Sequence, residues 1–273
     1  MFVGILVIGN EVLDGITLDT NSNWLARRLI PLGAKIKTRI TVRDDIRAIS
    51  KALLHLIELG CNVIFVSGGL GPTHDDMTLQ GIGHALEIEL ELNLQALAIV
   101  ERQYQWLHEK GLVDTPEINE PRKKMANLPK GAIPLDNRVG GAPGVLIKRN
   151  NILIFALPGV PAELKSIYKA KVEPFLLKKR SRFYSEAVIE REVKDESMIA
   201  PLIDQLMIQF PNLWVKSLPP AYGTSNKIRF WFSLSSDQKD PEILHKTIDR
   251  AIKTFDELLK EQTFDSEKRS KSS

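Results

Sequence analysis

Val63-Ile64-Phe65-Val66-Ser67-Gly68-Gly69-Leu70-Gly71-Pro72-Thr73-His74-Asp75-Asp76-Met77-Thr78 decides how this chain is read. Its first four residues are apolar, of the β-branched and aromatic types that suit a buried strand. They run straight into a glycine-rich turn, two adjacent carboxylates and a helix-like segment. A strand that feeds a glycine-rich loop and then a helix is a way to hold phosphate. The glycines let backbone N–H groups approach closely, and the helix start adds partial positive charge. Carboxylates repel phosphate, so Asp75 and Asp76 make sense beside one when a divalent cation sits between them. The plain alternative is a tight turn in which one Asp caps the helix. His74 reads as an exposed loop histidine.

Outward from this stretch, strands and helices alternate. Phe2–Ile8 reads as a strand. Thr20–Leu32 reads as a helix, with Trp24, Leu25, Leu29 and Leu32 at helical spacing and Gly33 past its end. Ala34–Thr41 is the next strand. Asp45–Leu59 is a helix carrying Ile46, Ile49, Leu53, Leu56 and Ile57 on one face, closed by Gly60. With Val63–Ser67 this βαβαβ order predicts an α/β three-layer sandwich with a mainly parallel sheet and right-handed crossovers.

Further along, Leu79–Leu86, Leu94–His108 and Glu117–Leu128 read as helices, and Ala132–Leu135, Gly144–Lys148 and Asn151–Ala156 as extended pieces. The last enters Leu157-Pro158-Gly159-Val160-Pro161, a second strand-to-helix turn. Ligands of such sheets bind beyond the carboxyl ends of the strands, which here are the loops after Ile8, Val66 and Ala156. A boundary is expected near Val172–Arg182. Strand Glu186–Val193, helix Ser197–Phe210, strand Leu213–Leu218, a Pro-Pro and Gly turn, strand Lys227–Ser233 and helix Glu242–Leu259 then form a small C-terminal α+β domain. The expected domains are therefore 1–172 and 183–262. The stretch 265–273 is polar and charged without an apolar residue, which predicts a disordered tail.

Composition narrows the function class. The 273 residues, 43% hydrophobic, are enough for two domains with their own cores. A net charge of +3 with scattered Lys and Arg, such as Arg27-Arg28 and Lys123-Lys124, gives no nucleic-acid footprint and reads as solvated helix faces. The single cysteine, Cys61, excludes an intrachain disulfide and a Cys-based metal site. No run reaches the roughly 18 apolar residues of a membrane span. Met1–Ile8 has no basic n-region and reads as a first strand, so a cytoplasmic location without membrane partners is expected.

Other polar clusters read two ways. In Gly9-Asn10-Glu11-Val12-Leu13-Asp14-Gly15, Glu11 meets a ligand hydroxyl, amine or metal, or the acids are simply solvated. Asp19-Thr20-Asn21-Ser22-Asn23 is richer than a helix cap needs. In Asn137-Arg138-Val139-Gly140-Gly141-Ala142-Pro143-Gly144, Arg138 meets an anion or the glycines make a hairpin. Glu163 suits the first turn of its helix as well as it suits a ligand.

Together these residues resemble the CinA family, specifically its N-terminal region in the MoaB/Mog molybdopterin-binding-like superfamily. The resemblance rests on Gly9-Asn10-Glu11-Val12-Leu13 with Gly15, Asp19-Thr20-Asn21, Ser67 to Thr73 with Asp75-Asp76 and Thr78, Gly141-Ala142-Pro143-Gly144, and Leu157-Pro158-Gly159-Val160-Pro161. Lys194-Asp195-Glu196-Ser197 fits the family's small domain, and the likeness covers about residues 1 to 260. Asn10 stands where many members have Thr. The family's further C-terminal domain, similar to nicotinamide mononucleotide deamidases, has no counterpart here, so deamidase activity is not expected.

What the resemblance implies is divalent-metal-dependent hydrolysis of ADP-ribose, or a related nucleotide pyrophosphate, to AMP and ribose 5-phosphate. Asp75, Asp76 and Glu11 would be catalytic, with Asp75 and Asp76 holding Mg, Mn or Co. Gly68, Gly69, Gly71, Thr73, Thr78, Asn10, Asp19, Asn21 and Gly159 would contact the ligand. The alternative is a molybdopterin- or nucleotide-binding protein without turnover. Either way the partner is a small phosphate-bearing molecule, with a homo-oligomer also open.

Overall fold

A computed structural model of the chain describes residues 1–179, 182–193, 196–220, 227–237 and 240–271, with side chains as far as 262. Lys194, Asp195 and most of the turn after Pro220 thus lie outside the described residues, as do Ser272 and Ser273. The chain divides into two compact units, Met1–Ile30 with Ala34–Lys179, and Pro31–Gly33 with Arg180–Ser273.

In chain order the first unit holds β1 (Phe2–Ile8), α1 (Asn10–Leu13), α2 (Thr20–Leu29), β2 (Lys35–Val42), α3 (Ile46–Glu58), β3 (Val63–Ser67), α4 (Thr78–Leu86), β4 (Leu90–Leu92) and α5 (Leu94–Glu109). Then come α6 (Glu120–Lys124), β5 (Asn127–Pro129), β6 (Ile133–Leu135), β7 (Gly144–Arg149), β8 (Ile152–Leu157), α7 (Pro161–Ile167) and α8 (Glu173–Leu177). Six strands form one sheet in the order β2-β1-β3-β8-β7-β6. The first four are parallel, and β7 runs antiparallel between β8 and β6 at one side.

The sheet is buried on both faces, which is why β1 and β3 read as continuous apolar runs. One face packs Leu6, Ile64, Val66 and Ile154 against Ile49, Leu53 and Leu56 of α3, Ile82 of α4 and Val100 of α5. The other carries stacked Phe65 and Phe155, ring centroids 5.2 Å apart, under Tyr168 and Phe175. Trp24 of α2 meets Tyr168 edge-on. Each Leu or Ile fully buried this way contributes about 1.5–3 kcal/mol, so the three-layer arrangement follows from the helix and strand periodicities. Short polar caps set the helix starts: Asp19 accepts from Ser22 N, Asp45 from Ala48 N and Asn93 from Ala96 N.

Register then places the site. Val7 pairs with Ser67, and Ser67 with Leu157, so β1, β3 and β8 end level with one another. The loops after them emerge side by side.

The structure departs from expectation in several places. Glu117–Leu128 is not one helix. Asn119 caps and Pro121 opens a short α6, after which β5 pairs antiparallel with β4 and buries Leu128. Pro121 suits only a first turn, and the apolar residues that follow lack helical spacing. The helix from Thr20 tightens to a 3₁₀ turn at Ile30–Leu32, where Pro31 removes a donor. The first unit ends at Lys179, with Leu176 of α8 fully buried in it.

The second unit has β9 (Phe183–Glu192), α9 (Ala200–Gln209), β10 (Leu213–Leu218), β11 (Lys227–Ser236) and α10 (Pro241–Lys271). Its antiparallel sheet, β10-β11-β9, packs Phe230 and Phe232 against Leu206 of α9 and Phe255 of α10. In place of the disordered tail expected at 265–273, α10 continues to Lys271. No Gly or Pro interrupts it after Pro241, and polarity alone does not stop a helix rich in Glu and Lys. Among the described residues, no helix is long and apolar enough to cross a membrane.

Candidate functional site

The level ends of β1, β3 and β8 open into one cavity of about 550 Å3. Glu11, Asp19, Asn21, Gly68, Gly69, Gly71, Thr73, Asp75, Asp76 and Gly159 all line it. Ten of the residues picked from sequence thus converge from three separate loops. Asn10 and Thr78 do not line it.

The turn after β3 forms the floor. Gly68 and Gly69 have φ of +106° and +63°, a region L side chains rarely adopt. A Cβ at Gly68 would sit 2.1 Å from the Ile8 carbonyl oxygen, and one at Gly69 would sit 2.4 Å from Thr78 Oγ1. Gly68 N–H is spent on the Leu157 carbonyl, 3.0 Å away. The N–H groups of Gly69, Leu70 and Gly71 have no acceptor among the described residues. Three donors at the carboxyl end of a central strand suit an anion.

Thr78 corrects its own assignment as a phosphate contact. It is fully buried, and its hydroxyl donates to Gly68 O at 2.7 Å. It fastens the turn from below because a hydroxyl facing away from solvent must find a nearby acceptor. Asn10, the first residue of α1, is likewise held by protein groups: its N–H donates to Asp44 Oδ2 at 2.8 Å, and its Oδ1 accepts from Arg43. Asp19 lines the cavity, but its two oxygens accept from the backbone and hydroxyl of Ser22.

The two adjacent acids differ. Asp76 accepts from Thr73 N–H at 2.9 Å and from the Thr73 hydroxyl, closing the loop on itself, while Lys124 Nζ donates to Thr73 O. Asp75 is half-exposed and lies below the usual carboxylate range, through the Thr73 hydroxyl, whose one proton it can take only in alternation with Asp76, and then through its own backbone N–H; His74 and Lys124 add to this. Opposite stands Asp44, a residue the sequence reading passed over. Burial pushes its carboxyl up, and the charges of Glu11 and Asp75 push it further, against the Asn10 N–H that lowers it. Asp44 directly follows the end region of β2, so its place at the carboxyl edge of the sheet was the available signal.

That crowding of negative charge bears on a metal. No three His, Cys, Asp or Glu groups among the described residues form a cation cage. Mg²⁺ needs none, because it is held by one or two carboxylates plus substrate phosphates. Asp75 with Glu11 or Asp44 suits that shared mode, and Asp76 keeps Oδ1 open beside the two bonds from Thr73 at its Oδ2.

Asn21 supplies a different kind of group. Its Nδ2 donates to Gly159 O at 2.7 Å and to Ser67 Oγ at 3.1 Å. Because Gly159 O can only accept, the amide orientation is fixed, and Oδ1 is left buried with no partner. It is an unpaired acceptor on a residue that lines the cavity.

The far wall is built by the second glycine-rich loop. Tyr104, Met125, Gly141, Ala142 and Glu163 line it, none of them assigned to the site from sequence. Asn137 is fully buried; its Nδ2 donates to Ala142 O and Glu163 Oε2, and its Oδ1 accepts from Val139 and Gly140 N–H. Arg138 points away, 81% exposed and paired with Asp136, and His74 is 96% exposed. Neither is an anion site facing the cavity.

A family model described as "Probable molybdopterin binding domain" matches residues 4–178. A protein of Pyrococcus abyssi is 39% identical over 245 residues, covering 90% of this chain and 93% of that protein. One from Sulfurisphaera tokodaii is 38% identical over 257 residues, covering 94% of each. The solved structure of the protein CinA, of unknown function, from Thermoplasma acidophilum is 31% identical with a TM-score of 0.58, covering 64% of this chain and 99% of that one.

Proposed function

This chain belongs to the family of probable molybdopterin binding domains and, within it, to the CinA proteins; on that premise we propose that its cavity binds a nucleotide pyrophosphate of the ADP-ribose kind and, with a divalent cation, hydrolyses it to AMP and ribose 5-phosphate. The observation that carries the reading is the meeting of three unpaired N–H groups, at Gly69, Leu70 and Gly71, with an acidic flank of Asp75, Glu11 and Asp44.

Each part has a role in the reaction. The N–H groups hold the phosphate oxygens and neutralise part of their charge. Water adds across the bridge: one O–P bond forms, one bridging P–O bond breaks, and the water's protons go to the two monoester products or to solvent. Asp44, its carboxyl already pushed up, is placed to take the proton of the attacking water. Asp75, held ionised, binds the cation with Glu11. Bound there, Mg, Mn or Co supplies Lewis-acid polarisation of a phosphoryl oxygen.

The second reading, a pterin-phosphate or nucleotide binder without turnover, is favoured by Asp76. Its Oδ2 is taken up by Thr73, so that carboxylate offers one open oxygen where two were expected. Incubation with ADP-ribose and Mg, Mn or Co, followed by chromatography, decides between the two. The hydrolase yields AMP in the presence of metal, and Asp75→Asn loses it by about 10²-fold or more. If no AMP forms with any metal while a pterin phosphate binds, the binding reading replaces it.

A further inference from the structure

Glu163 has no role in the hydrolysis just described, yet the far wall of the cavity is organised around it. Asn137 Nδ2 donates to Oε2 at 2.6 Å. Asn137 uses its remaining capacity on Ala142 O, Val139 N–H and Gly140 N–H, at 2.7, 3.0 and 3.1 Å. Gln103 Nε2 holds the Gly140 carbonyl from behind at 3.1 Å. A Cβ at Gly140 would lie 2.1 Å from the Glu163 carboxyl carbon, so the carboxyl occupies the space glycine leaves. Among the described residues no cation pairs with it, and Oε1 has no hydrogen-bond partner. An acid serving only the helix start would need no such frame.

Sheet order places this carboxyl. Asp44 follows β2, Glu11 follows β1, the glycine turn follows β3, Glu163 follows β8, and the Asn137–Ala142 loop leads into β7. The N–H cradle is therefore central, with Glu163 on the flank opposite the acidic trio. A carboxylate repels phosphate, so what lies against Glu163 is the part of the ligand that carries donors.

We infer that Glu163 reads the ligand beyond its phosphates, by accepting hydrogen bonds from a vicinal pair of donors; the inference rests on the phosphate assignment at Gly69–Gly71. Two moieties carry such a pair: a ribose cis-diol, and the adjacent N–H and NH₂ of a 2-amino-4-oxo ring of guanine or pterin type. The Watson–Crick edge of adenine, with a donor beside an acceptor, does not match an ionised carboxylate. Burial without a cation pushes the Glu163 carboxyl up, so donors brought by a ligand meet an acceptor that protein groups leave undersatisfied.

The test measures affinity of wild-type protein and Glu163→Gln for ADP-ribose, ADP and GDP, with 2′,3′-dideoxy-ADP as the diol-free control, by calorimetry with Mg²⁺ at neutral pH. Gln keeps the size and can still accept from Asn137. If Glu163 holds the terminal ribose, wild type prefers ADP-ribose to ADP by about tenfold or more; if it holds the ring, it prefers GDP to ADP by a similar factor. Glu163→Gln reduces that ratio to within about twofold while ADP affinity stays within about twofold. Glu163→Asp, which withdraws the carboxylate by one methylene, loses the same ratio, and melting curves show that both variants fold. Loss shared by all three ligands but not by 2′,3′-dideoxy-ADP places Glu163 on the nucleoside ribose diol; equal loss for all four, or no loss, overturns the inference and leaves the phosphate assignment standing. Failure of all three to bind wild type removes both.

Discussion

At Gly69–Gly71 three successive backbone N–H groups have no acceptor among the described residues, whereas at Gly140 the N–H is bonded to Asn137 and the carbonyl to Gln103. Both loops are glycine-rich, and both line the same pocket. The first is fastened from below by Thr78 and across by Thr73 and Asp76; the second is fastened by one buried amide, Asn137. Glycine makes room for neighbours in both loops, the Ile8 carbonyl, Thr78 and Asp76 in the first and Glu163 and Tyr104 in the second, so the loops differ in which backbone groups stay open and not in glycine content.

The largest effect that sharpens this contrast is at Gly68. Alanine there combines an unfavourable φ with a contact against a backbone carbonyl that cannot move, so Gly68→Ala should cost about 3 kcal/mol or more. Gly140→Ala meets only the end of a side chain and should cost about 1 kcal/mol. Denaturant melts of both variants measure the gap; equal losses would mean the two loops are built alike.

Next in size is Asn137→Ala. It leaves buried backbone groups of Val139, Gly140 and Ala142 unpaired, a loss of about 2–3 kcal/mol. Hydrogen exchange should rise at residues 137–142 and stay unchanged at 68–78. Matching increases in both loops would show that they are one cooperative unit.

The smallest effect is of opposite sign in the two loops. The Asp75 carboxyl lies below its ordinary value, so its contribution is present above the unfolded value and lost as pH falls. That of Glu163 lies above its ordinary value, so the cost of ionising it is absent in acid and grows as pH rises through the folded value. Asp75→Asn should therefore lower Tm slightly at neutral pH. Glu163→Gln should raise it there, with the gain vanishing below the ordinary Glu value of about 4.5. A gain from Glu163→Gln that persists in acid would assign its effect to packing.

The layered fold was legible because period and burial coincide: Ile49, Leu53 and Leu56 recur along α3 and face the sheet they cover. The floor of the site was legible because a strand, a glycine turn and a helix are contiguous in sequence. The far wall was not. Tyr104, Met125, Asn137 and Glu163 come from four separated segments, and only tertiary packing unites them. Asp44 was hidden beside Asp45, whose capping role accounts locally for an acid at that point. At Asp76 sequence shows the carboxylate but not that Thr73 takes up its Oδ2, which leaves Oδ1 as the open oxygen.

Amide NMR of the labelled protein during titration with ADP-ribose and Mg²⁺ tests the central claim most directly. If the turn after β3 holds the phosphates, the Gly69, Leu70 and Gly71 N–H signals move downfield together and saturably, while Gly68, already bonded to Leu157, moves least. Saturable shifts confined to other loops, with those three amides unmoved, would contradict it.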